Sequence, residues 1–171
     1  SGETSRLALL ARFECGKDLV LEGVSSADLA CWADSPEPCS EEAGRAYAAA
    51  LRARGIPALV EAPAAEAAAA LEAKLRAAGV PTLVSLRGEA PGALLKEYRL
   101  LAALLARQGS RAPIHLRVPR QAGEEAQVIE SSLLLGALLC DGIGDSVQLD
   151  SAQAPKRTLQ LAYNVLQGAG V

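Results

Sequence analysis

Methionine is absent from all 171 residues, and aromatic side chains make up only 3% of them. Recognition of nucleic acid needs a positive footprint and often uses aromatic stacking platforms. Here 20 acidic residues outnumber 17 Lys and Arg, the net charge is −3, and no basic block occurs. Nucleic acid is therefore not an expected partner. No apolar run reaches the 18 residues of a membrane span, and the longest, Leu133 to Cys140, is interrupted by Gly136. A membrane partner is not expected either. The start of the chain lacks a charged segment followed by an apolar one, so no secretion signal is expected, and the reading is a bacterial cytoplasmic protein.

Histidine and cysteine are scarce in ways that bear on chemistry. His115 is the only histidine, without a neighbouring Cys or acid cluster, so neither a catalytic zinc nor a Ser–His–Asp site has support. The four cysteines, Cys15, Cys31, Cys39 and Cys140, form no CxxC pair and match no zinc or iron–sulfur spacing. No cofactor is expected in this chain. Cys140 ends an apolar run and reads as a small buried hydrophobe. Cys31 and Cys39 flank a proline-rich loop and could approach each other, although free thiols are expected without a secretion signal.

What the sequence does contain is alternation. The runs Asp18 to Glu22, Pro57 to Glu61, Thr82 to Leu86, Ile114 to Val118 and Ser146 to Leu149 read as strands, with Leu7 to Phe13 a candidate sixth. Ser25 to Trp32 reads as a short helix, and Pro36 and Pro38 place 34–39 in a loop. Ser40 is a good N-cap for a helix ending at Arg54, before Gly55 and Pro57. Pro63 opens a helix to Ala78 at a position that tolerates its missing N–H. A helix from about Glu89 to Gln108 aligns Leu94, Tyr98, Leu101 and Leu105 on one face. A segment from Glu124 to Leu139 becomes apolar all round, which predicts full burial. Pro155 opens the last helix, with Leu159, Ala162 and Val165 on one face, ending near Gly168. Strands and helices alternating every 25–35 residues predict βα units on a parallel sheet. The expected fold is one α/β domain over 1–171, partial or degenerate TIM-barrel-like, because a full eight-stranded barrel typically needs about 250 residues. An open doubly wound sheet also fits.

Three arginines fall where α/β folds bind ligands. Arg87 follows the strand Thr82 to Leu86, and Arg117 and Arg120 end the strand Ile114 to Val118. At the C-terminal edge of a parallel sheet they could form an anion site, or they could be ordinary surface arginines. The loop Asp141, Gly142, Ile143, Gly144, Asp145 precedes its strand and so belongs to the opposite edge. It reads as a tight αβ turn whose aspartates satisfy backbone donors. His115, inside a strand, reads as a packed or hydrogen-bonded structural residue, the alternative being a functional histidine facing a cleft.

From about Thr82 to Gly168 the chain resembles the 4-hydroxy-3-methylbut-2-enyl diphosphate synthases. The carrying segments are Val84 to Gly88 (VSLRG), Pro113 to Leu116 (PIHL), Gly136 to Asp145 (GALLCDGIGD) and Asn164 to Gly168 (NVLQG), in matching order and spacing. The resemblance implies one of two layouts. The shorter has a TIM barrel that binds a cyclic diphosphate, followed by a small [4Fe–4S] domain; the longer inserts a barrel-like domain between them. Such an insert ends in an LLxDGxGD segment and an LLQG-like helix, as this chain does. In the catalytic barrel the strand after its GxGD loop reads like TLRVS, with Arg and Ser on the substrate phosphates. Here those places hold Gln148 and Asp150. The resemblance thus implies the insert, a structural spacer positioning the cluster domain over the barrel. Its partners would be the other domains of the parent enzyme and a reductant protein such as ferredoxin or flavodoxin. The competing readings are the C-terminal half of the catalytic barrel, and a free-standing α/β enzyme or phosphate binder using Arg87, Arg117 and Arg120.

Overall fold

The computed structural model of the protein describes residues 10–14, 29–33 and 41–170. Six strands are assigned: β1 (Leu10–Glu14), β2 (Leu29–Ala33), β3 (Ala58–Ala62), β4 (Thr82–Leu86), β5 (Ile114–Val118) and β6 (Ser146–Leu149). Five helices follow the same alternation: α1 (Glu41–Arg54), α2 (Ala65–Ala77), α3 (Pro91–Arg107), α4 (Glu124–Cys140) and α5 (Pro155–Gly168). Every strand pairs in parallel with the next one in sequence, giving the order β1-β2-β3-β4-β5-β6.

That order excludes the doubly wound alternative. A doubly wound sheet reverses direction at a switch point, which places helices on both faces. Sequential order with right-handed crossovers keeps every helix on one face, as in a barrel wall. The core agrees. Alternate strand residues Ala58, Val60, Ala62, Val84, Leu86, Ile114, Leu116 and Val118 join one apolar cluster with Leu51, Leu75, Leu101 and Leu135 from the helices. The intervening residues Glu61, Ser85, His115 and Arg117 must point the other way, since strand side chains alternate. Among the described residues β1 and β6 do not pair, so the sheet is an open, barrel-like arc.

One device ends four of the helices. A glycine with positive φ follows the last turn, and the next N–H reaches back five residues: Ile56 to Leu51 O after Gly55, and Ile143 to Leu138 O after Gly142. Val80 and Ser110 repeat it onto Leu75 O and Leu105 O. This Schellman geometry satisfies the last carbonyls and turns the chain directly into the next strand.

Four expectations are corrected. Leu29–Ala33 is a strand in register with Ala58–Glu61, not the end of a helix; its apolar run is too short for periodicity to decide. α2 begins after Ala64, so Pro63 lies ahead of the helix rather than in its first turn. α4 is not buried all round: Val128, Ile129 and Leu133 are 42–62% exposed, and Cys140 is exposed as well. A helix covering a single-layer sheet has only one side to bury, whatever its composition. In α5 Val165 is the buried residue, and Leu159 on the same face is exposed. The run Asp18 to Glu22 and the loop 34–39 lie outside the described residues.

Candidate functional site

The sheet face away from the helices gathers polar side chains along β3 to β6. Register alone assembles them: Glu61 lies beside Ser85, Ser85 beside His115, His115 beside Ser146, and Arg117 beside Gln148. Arg117 is the hub. Its Nε donates to Asp150 Oδ2 at 2.7 Å, its Nη2 lies 2.6 Å from the same oxygen, and Nη1 sits 3.8 Å from the buried Glu61 carboxylate. Gln148 Nε2 donates to the other Asp150 oxygen at 2.7 Å. Burial lowers the Arg117 pKa, but the Asp150 hydrogen bond and the charges of Asp150, Glu61 and Glu89 outweigh it and hold the guanidinium above its ordinary value. Three carboxylates thus compete for one cation.

His115 bridges to β6, with Nδ1 2.8 Å from Ser146 Oγ and Nε2 3.2 Å from Gln148 Oε1. It is half-buried on the sheet face and held by two neutral partners. Among the described residues the ring's hydrogen-bond partners are Ser146 and Gln148 rather than a carboxylate.

Behind this face, α3 sends Tyr98 into the sheet between β4 and β5. Those strands pair only at Val84–Ile114 and Ser85–His115. Just past that point the Tyr98 hydroxyl accepts from Arg117 N at 2.9 Å and Leu86 N at 3.2 Å, and donates to His115 O at 3.1 Å. The phenol therefore replaces the ladder where the strands part. Desolvation by burial raises its pKa, against the lowering effect of hydrogen bonds from Ser85, Arg117 and Leu86. Sequence periodicity identified Tyr98 only as one more residue of a buried stripe; no signal in the sequence points to its wedge role.

The three arginines expected at one edge do not converge. Arg117 is engaged as described. Arg87 is half-buried, and its backbone N–H donates to Ala62 O at 2.9 Å. Arg120 is exposed and lines a cavity of about 700 Å3, with Gln121, Gln127 and Gln153, at the start of α4. Neither Arg87 nor Arg117 lines it, whereas Glu89 and Glu124 do. Sequence reasoning missed Glu61 and Asp150 as partners of Arg117, because sites 30 or more residues apart meet only through strand register.

The glycine-rich loop lies at the opposite end of the strands. Gly142 closes α4, and Asp141 Oδ2 accepts from Arg99 Nε at 2.8 Å. Asp145 clamps the start of β5 from both sides: its Oδ2 accepts from Ile114 N, and its own N–H donates to Ile114 O, each at 2.8 Å. Gly144 has φ of 118°, and a Cβ there would lie 2.5 Å from Leu116 Cδ1. The DGIGD sequence thus matches a demand for tight αβ closure at every position but Ile143, which packs against the core.

Among the described residues no group of three or more His, Cys, Asp or Glu could hold a metal ion. Cys140, the one cysteine whose side chain is described, stands alone on the outer side of α4. No helix among the described residues is long and apolar enough to cross a membrane.

Comparison with known proteins gives a consistent relationship. No family model matches the chain. A 4-hydroxy-3-methylbut-2-en-1-yl diphosphate synthase (ferredoxin) from Prochlorococcus marinus is 31% identical over 87 residues, 51% of this chain and 21% of that enzyme. The flavodoxin-type synthase of Bacteroides thetaiotaomicron is 34% identical over 82 residues, 48% of this chain and 13% of that enzyme. A Synechococcus enzyme of the ferredoxin type is 34% identical over 83 residues. A crystal structure of monomers of phosphoribosylanthranilate isomerase from Thermotoga maritima superposes with a TM-score of 0.49 and 15% identity, covering 93% of this chain and 83% of that one. Over about half its length, the chain is similar to 4-hydroxy-3-methylbut-2-en-1-yl diphosphate synthases, and the match spans about a fifth or less of each of those enzymes.

Proposed function

We propose that the chain is a non-catalytic spacer domain of such a synthase, the barrel-like insert that positions an iron–sulfur domain relative to a substrate barrel in isoprenoid biosynthesis. The observation that carries this reading is the neutralised strand edge. A diphosphate site needs several cations or N–H donors converging on one point. Here the inner-face cation Arg117 is already shared among Asp150, Glu61 and Glu89, and Arg87 and Arg120 do not join it in one cleft. The loop Asp141, Gly142, Gly144 and Asp145 has a structural role in this reading, with its hydrogen bonds spent on closing α4 and fixing β5. The [4Fe–4S] cluster, and contact with a ferredoxin or flavodoxin, would belong to the rest of the parent enzyme.

A second placement, the C-terminal half of the catalytic barrel, draws support from matches to both a shorter and a longer relative, since similar matched lengths make up 21% of one and 13% of the other. Gln148 and Asp150 disfavour it, because they stand where the resemblance puts phosphate-binding Arg and Ser. Expression of the chain alone in bacteria depleted of their own synthase tests the proposal. No restored growth is expected. Growth on the chain alone would show a catalytic unit and end the spacer reading.

A further inference from the structure

A chain of side-chain hydrogen bonds crosses the polar face of the sheet, and its direction is fixed from one end. Asp150 Oδ2 accepts from Arg117 Nε at 2.7 Å, and a carboxylate paired with a guanidinium only accepts. The other Asp150 oxygen, Oδ1, lies 2.7 Å from the Gln148 amide, so the amide nitrogen must stand there. That turns Gln148 Oε1 toward His115 Nε2, 3.2 Å away. An amide oxygen has no proton to give, so the neutral ring carries its proton on Nε2. Nδ1 keeps a lone pair, and Ser146 Oγ, 2.8 Å away, donates to it. Strand register builds the row: Ser146 and Gln148 share one side of β6, opposite His115 and Arg117 of β5.

A hydroxyl that donates to a neutral imidazole, whose far nitrogen is held by a third group, has the arrangement of an activated nucleophile. A side-chain amide fills the orienting place in Cys–His–Asn sites as well. Ser146 and Gln148 are exposed and His115 is half-buried, so a small molecule can reach the hydroxyl while the base stays fixed. Among the described residues β6 is an edge strand. Asp145 N–H donates to Ile114 O, and N–H directions alternate along a strand, so the Ser146 N–H faces the open side of the edge. It is a donor beside the hydroxyl for an oxygen that becomes negative.

We propose that Ser146 is a nucleophilic serine primed by His115, a modification site that takes an acyl group from activated esters. Oγ attacks the carbonyl carbon and its proton passes to His115 Nδ1. The bond to the leaving oxygen breaks with its electron pair, and His115 returns the proton to the leaving group or to solvent. Gln148 positions the ring and does not touch the ester. This chemistry is independent of the spacer role. Incubation of the 171-residue chain with p-nitrophenyl acetate, followed by peptide mass spectrometry, tests it. An acetyl group on Ser146 is expected, with release of an equivalent of p-nitrophenolate. General-base help contributes roughly 100-fold or more, so His115→Gln should slow Ser146 acetylation about 100-fold and Gln148→Ala about tenfold, with unchanged far-ultraviolet circular dichroism. Nitrogen-15 NMR of the unmodified chain reads the ring independently of reactivity: the proton should sit on Nε2, and Gln148→Ala should mix the two tautomers. Acetyl groups found only on Cys140, lysines or the amino terminus overturn the proposal. So does Ser146 acetylation indifferent to His115→Gln, and so does a neutral ring protonated on Nδ1.

Discussion

Removing a single oxygen atom, in Tyr98→Phe, should cost this fold more than most core substitutions. The hydroxyl sits where β4 and β5 part, accepting from Arg117 N and Leu86 N and donating to His115 O. Phenylalanine keeps the ring packed against the core but leaves two strand N–H groups without an acceptor and one carbonyl without a donor. Tyr98 is fully buried, so water cannot readily replace the oxygen. An orphaned buried group costs about 1–3 kcal/mol, and the three are neighbours whose costs do not simply add, so a loss of about 2–4 kcal/mol is expected. For a domain of this length that corresponds to about 5–15 °C in Tm. Urea titration monitored by circular dichroism measures it, with Tyr163→Phe as the control, since that phenol is exposed and its loss should stay within about 0.5 kcal/mol. A Tyr98→Phe change as small as the control's would refute the idea that the hydroxyl replaces the strand ladder.

Gly144→Ala should destabilise by about 2–4 kcal/mol, since the residue adopts positive φ and the new Cβ would strike Leu116; differential scanning calorimetry reads the loss, and a neutral substitution would show that the loop yields. The raised Tyr98 pKa has a definite sign: the folded state holds the proton more tightly than the unfolded chain, so its contribution is fully present below the ordinary tyrosine pKa and is lost as pH rises from there through the folded value. Urea midpoints above pH 10 should therefore fall more steeply for the parent than for Tyr98→Phe, and parallel curves would contradict the assignment. Anaerobic reconstitution with iron and sulfide should leave no stoichiometric cluster on the purified chain, judged by absorbance near roughly 400 nm and by iron analysis; a reproducible four-iron content would show that cysteines outside the described residues converge.

Much of the architecture was legible because helix ends and strand starts are written locally. Glycines 55, 79, 109 and 142 each follow a helix at the position where positive φ closes a Schellman turn, and that pattern alone sets the βα rhythm. The stripe Leu94, Tyr98, Leu101, Leu105 is buried as its spacing predicts. What was not legible depends on the third dimension. LACWA at 29–33 carries no period long enough to separate strand from helix. The apolar girth of α4 suggested full burial, yet a single layer of helices over one sheet leaves each an outer side. The engagement of Arg117 by Glu61 and Asp150 needs the register of four strands, and so the sequence leaves the arginine open between an anion site and an ordinary surface residue. His115 lies within a strand as its apolar neighbours predict, but its Ser146 and Gln148 partners follow only from the pairing of β5 with β6.

In the proposed spacer reading, this domain does not bind the diphosphate on which the similar synthases act. Isothermal titration at low salt with the cyclic diphosphate substrate, with pyrophosphate as a simpler probe, tests it most directly. Replacing a charged donor by Gln148 and placing Asp150 beside it should cost on the order of 3–5 kcal/mol relative to a functional site, a factor of hundreds or more in affinity. No saturable heat is expected at concentrations up to the millimolar range. Stoichiometric binding in the micromolar range would make this domain a substrate site and contradict the spacer account.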